Sequence, residues 1–75
     1  MWYIKVNDNI DIKKIMDKHE FSYDHRLEAY RLENEEDHSL TPLTRVYKVV
    51  MSIIDESPKS QFKIVIFKAE HINVL

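Results

Sequence analysis

Apolar and polar residues alternate through WYIKVN, with Trp2, Ile4 and Val6 on one side and Tyr3, Lys5 and Asn7 on the other. A period of two predicts a strand over 2–7. The period then lengthens. Ile12, Ile15, Met16 and His19 recur at i, i+3, i+4 and i+7, one face of a helix over 9–20. Asp8 suits its N-cap, and Asp11 falls in the first turn, where the helix dipole favours an acid. Residues 21–33, FSYDHRLEAYRLE, fit two patterns. A strand over 25–33 puts Arg26, Glu28, Tyr30 and Leu32 on one side and Leu27 and Ala29 on the other. A helix aligns Tyr23, Leu27 and Tyr30 but leaves Leu32 off the stripe, so the strand is the better reading.

The next segment is unambiguous. Thr41 is a good N-cap and Pro42 suits the first helical position, where a missing N–H costs nothing. Leu43, Val46, Tyr47, Val49, Val50, Met51, Ile53 and Ile54 fill an arc of roughly 200° on the helical wheel, with Thr44, Arg45, Lys48, Ser52 and Asp55 on the remainder. This predicts a helix over 42–56, stopped by Pro58. The arc is wider than one core needs. Either the helix lies deep in the molecule, or an edge formed by Met51, or by Val49 with Ile53, meets a second subunit or partner.

QFKIVIFK at 61–68 carries Phe62, Ile64 and Ile66 on one face and Val65 and Phe67 on the other, which predicts a central strand. HINVL at 71–75 reads as a short edge strand or a packed tail. The order β-α-β-α-β(-β) gives an α+β fold, a single domain over 1–75 with two helices on one face of a three- or four-stranded sheet. Tyr3, Val65 and Phe67 then occupy the other face, which leaves surplus apolar surface for a homodimer or a partner.

Composition removes several chemistries. The 75 residues include no cysteine, so disulfides and thiol nucleophiles are excluded. They include no glycine either, and loops that cradle phosphate need glycine for close backbone approach, so nucleotide cofactors are not expected. Left-handed turn positions must fall to Asn or Asp, with residues 7–9 and Asn34 the candidates. No apolar run is long enough to cross a bilayer, and MWYIKVND lacks the features of a signal peptide, so a cytoplasmic protein without membrane contact is expected. His19, His25, His38 and His71 make no HxxxH pair, so neither metal nor cofactor is expected, and Asp24-His25-Arg26 is only a remote candidate for acid–base catalysis. A non-enzymatic protein fits this inventory better.

Charge is unevenly distributed along the chain. Residues 1–40 carry ten acids against six bases, and residues 41–75 carry three acids against five bases. Four of the five residues in Glu33-Asn34-Glu35-Glu36-Asp37 are acidic. Along an extended backbone Glu33, Glu35 and Asp37 point one way about 6.6 Å apart, a spacing that imitates successive phosphates. With Glu28 they form a candidate partner-binding surface matched to a basic channel. The competing reading is an ordinary solvated loop before a helix start.

A small, glycine-free chain rich in Lys, Ile and Asp, with LENEED at 32–37 as its one local feature, resembles the early host-takeover proteins of phages that infect AT-rich Gram-positive bacteria. Inhibitors of the bacterial DNA sliding clamp are among these, and anti-CRISPR proteins have the same general look. The resemblance covers the chain as size and composition. It implies an inhibitor acting in the host bacterial cytoplasm, which occupies the nucleic-acid-binding surface of a host protein through Glu28, Glu33, Glu35, Glu36 and Asp37 and has no direct affinity for nucleic acid. The alternative is a small nucleic-acid-binding regulator that uses Trp2, Lys5, Lys63, Phe67 and Lys68 on a basic, aromatic sheet face.

Overall fold

The computed structural model describes residues 1–7, 12–36, 38–56 and 63–69. Strand β1 (Trp2–Asn7) leads to helix α1 (Lys13–Lys18), a hairpin of β2 (Phe21–Asp24) and β3 (Ala29–Leu32), helix α2 (Pro42–Glu56) and strand β4 (Lys63–Lys68). The four strands form one antiparallel sheet in the order β2-β3-β1-β4, an α+β architecture with both helices packed against one sheet face. Alternate residues of the strands supply the sheet side of the core, namely Ile4, Phe21 and Leu32. Ile12 and Met16 from the α1 segment and Val46, Val49 and Ile53 of α2 close over them. Each such side chain stabilises the fold by roughly 1.5–3 kcal/mol relative to its exposed state.

Strand β1 and helix α2 occupy the predicted spans. Thr41 caps α2, accepting the Thr44 N–H at 3.3 Å on its hydroxyl and the Arg45 N–H at 3.1 Å on its carbonyl. Helix α1 buries Met16 as its spacing predicts, and it ends where Glu20 adopts a left-handed φ of 62°. Helix α1 is shorter than the predicted 9–20: it begins at Lys13 with Ile12 at its N-cap and no acid in its first turn, so Asp8 is not its cap and Asp11 not its first-turn acid. The turn at 8–9, the strand's first residues at 61–62 and the tail at 71–75 lie outside the described residues.

Two further expectations are corrected. The single strand over 25–33 is instead a hairpin, with Phe21 opposite Leu32 and Asp24 opposite Ala29. Its turn is made by Asp24, whose carboxylate accepts the N–H groups of Arg26 and Leu27 at 2.9 and 3.4 Å, and by Glu28 at a φ of 51°. An Asx turn of this kind reverses the chain without glycine. The fourth strand of the sheet therefore comes from the middle of the chain. Among the described residues, strand β4 is also not central: it stands at the end of the sheet, paired with β1 from Trp2–Lys68 to Asn7–Lys63. The hairpin takes the other side of β1, so β1 and β3 are the two inner strands. The apolar residues on β4's two faces serve a core contact by Ile64 and a stack of Phe67 on Tyr3, and they leave Val65 and Ile66 exposed.

Candidate functional site

The acidic segment does not run extended past β3. Asn34 takes a φ of 54°, as its residue type foretold, and turns the chain. The carbonyls of Glu33 and Asn34 accept hydrogen bonds from Arg45 Nη1 at 2.8 and 3.1 Å, which holds the bend. The carboxylate of Glu33 accepts from the Ser22 hydroxyl and from Arg31 Nε and Nη2 at 3.1 and 2.9 Å. Glu35 accepts the backbone N–H of Trp2 at 2.9 Å. Glu28, at the hairpin turn, lies 3.9 Å from Lys5 Nζ, an exposed pair that contributes little. Glu36 is exposed, and Asp37 lies outside the described residues. Of the five predicted partner-binding acids, two are tied into the fold, and the regular spacing of charges is replaced by a bend.

The Ser22 hydroxyl, against the opposing pull of burial and with help from Arg31, holds the Glu33 carboxyl below its ordinary range. A depressed carboxylate stabilises the fold above the ordinary carboxyl range and loses that contribution as pH falls through its folded value. Glu33→Gln is therefore expected to lower the urea midpoint at neutral pH. The difference from wild type should close in strong acid, which a denaturant series against pH measures.

The alternative nucleic-acid set does not assemble. Trp2 and Lys68 face the helices, with the Lys68 ammonium 5.0 Å from the Trp2 ring centroid. Lys5, Lys63 and Phe67 lie on the opposite side, where Phe67 stacks on the buried Tyr3 ring at 5.3 Å. His25 sits in the exposed hairpin turn, edge-on to Tyr23 at 4.9 Å. Among the described residues no group of three His, Asp or Glu side chains is placed to hold a metal ion. Among them too, no helix is long and apolar enough to cross a membrane.

Arg45 is the polar residue whose role the helical wheel hides. It is only 4 % exposed, and besides the two carbonyls it donates to Glu20 Oε2 at 3.1 Å. Its guanidinium thus joins the end of α1, the segment after β3 and the first turns of α2. Beside it lies an open cleft of about 350 Å³, lined by Lys18, His19, Glu20, His38 and Lys48 among others. His19 Nε2 is 3.2 Å from the Ser52 hydroxyl. Burial first, then the charges of Lys18, Lys48 and Arg45, hold the His19 imidazole below its ordinary value. A base depressed in the folded state makes the protein lose stability as pH falls through the usual histidine range.

The wide apolar arc of α2 resolves into two rows. Val46, Val49 and Ile53 are buried, which removes Val49 and Ile53 from the suggested contact edge. Leu43 (44 % exposed), Tyr47 (58 %), Met51 (55 %) and Ile54 (41 %) form an outer row along the whole helix. Large apolar side chains at successive turns make a contiguous strip, and contiguous strips mark interaction surfaces. The width of the arc was the signal for this row; the wheel alone could not say which edge faces out. No protein-family model matches the chain, and no curated protein and no solved structure matches it.

Proposed function

We propose that this is a non-enzymatic protein-binding module whose docking surface is the outer row of α2. The observation that carries the reading is that row itself: four large apolar side chains exposed on one face of a capped, well-anchored helix. Helix-face docking of this kind uses anchors at i, i+4 and i+7 or i+8, the spacing that Leu43, Tyr47, Met51 and Ile54 supply. The inner row fixes the helix to the sheet, so binding at the outer row need not first order the helix backbone.

Obstruction of a host nucleic-acid-handling protein, such as the replication sliding clamp, remains a second reading. What favours it is the exposure of Glu28 and Glu36. The commitment of Glu33 and Glu35 to internal donors weighs against a rigid series of phosphate-like charges. Affinity capture from bacterial lysate with matched variants separates the two. The proposal expects Tyr47→Glu with Met51→Glu to abolish the captured band while Glu28→Gln with Glu36→Gln retains it. The opposite pattern would transfer the function to the acids.

A further inference from the structure

We infer that the outer row of α2 pairs, antiparallel, with the same row of a second copy of this chain. The inference rests on reading that row as a docking surface and names its occupant. Two features of α2 make it self-complementary.

The first is the position of the anchors. Leu43 and Ile54 stand at equal distances from the midpoint between Lys48 and Val49, and Tyr47 and Met51 lie on either side of it. A two-fold axis there sets Leu43 level with the partner's Ile54 and leaves Tyr47 only about 1.5 Å along the helix from the partner's Met51. The second pair brings a thioether against an aromatic ring, a favourable contact. An interface that repeats one patch on both copies closes at two subunits. The row spans about 16 Å at the rise of an α-helix.

The second feature is charge. Helix α2 has no acid in its first turn and no base in its last, and it ends on Asp55 and Glu56. Those acids sit at the negative end of their own helix dipole, where they are unfavourable. Antiparallel pairing opposes the two dipoles and brings each copy's Asp55, on the flank of the row, beside the other's first turn, at its positive end. An unrelated helix has no reason to match both the anchor spacing and this reversed polarity; a second α2 matches both. Lys48 flanks the axis, and its aliphatic stem can lie along the apolar row while the ammonium stays in water.

A contact of this length is at the small end of specific interfaces, so association should depend on concentration. Sedimentation equilibrium of the full chain tests it. The expected result is a mass that rises with concentration from 9.1 kDa toward twice that value. Met51→Glu and Tyr47→Glu should each remain monomeric with an unchanged melting temperature, because both positions are exposed. Asp55→Lys should weaken pairing several-fold. A wild-type chain that stays monomeric up to millimolar concentration overturns the dimer, while loss of heterologous capture in the row variants would still uphold the row as a docking surface. Wild-type association that neither row variant reduces overturns the pairing geometry, and unchanged capture by those variants overturns the docking reading as well.

Discussion

Arg45→Ala is expected to cost about 3 kcal/mol of folding stability, the largest loss from any polar residue described, because it strands two backbone carbonyls and removes the partner of the half-exposed Glu20 carboxylate. The carbonyls of Glu33 and Asn34 have Nη1 of this guanidinium as donor, and Glu20 has Nη2. For a domain of this size such a loss lowers the melting temperature by roughly 10–20 °C. Arg45→Lys should recover less than half of it, since one ammonium cannot reach both sides of the site as a planar fork does. Urea denaturation of the three proteins measures this. If Arg45→Ala unfolds at the wild-type midpoint, the guanidinium does not hold the segment after β3.

The second large effect contrasts neighbouring isoleucines. Ile53 is fully buried beneath α2 and Ile54 is 41 % exposed in its outer row. Ile53→Ala removes core methylenes and leaves a cavity, at a cost of about 2–5 kcal/mol. Ile54→Ala should stay within about 1 kcal/mol, because much of its surface is already in water. The same substitution one residue along thus measures which side of the helix faces the sheet. Equal costs would mean that the helix is rotated from the orientation described.

Local pattern carried those parts of the fold whose causes are local. Alternation alone determines β1, and Thr41-Pro42 followed by a wide apolar arc determines α2, because caps and periodicity act within a few residues. The hairpin at 21–32 was hidden because its turn residues, His25, Arg26 and Leu27, carry no turn chemistry of their own. Asp24 supplies it from the preceding strand, and Glu28 adopts a left-handed backbone that its side chain does not advertise. The place of β4 depended on that hairpin, which occupies the other flank of β1. The same pairing brings Ser22 and Arg31 beside Glu33, so the fate of the acidic segment could not be read from its own charges. Arg45 escaped notice for a similar reason: on the wheel it borders the polar side, and only the tertiary fold brings carbonyls to it.

The outer row of α2 is the feature on which the functional account turns, and methionine provides a direct probe of it. Met51 lies in the row, 55 % exposed, while Met16 is sealed in the core. Methyl NMR of the methionines, recorded across a dilution series of the full chain, reads both positions at once. The Met51 methyl is expected to shift and become shielded from a soluble paramagnetic probe as concentration rises, with Met16 unchanged throughout. A Met51 methyl that stays equally exposed to the probe at every concentration, in a chain that still self-associates, would contradict the functional account.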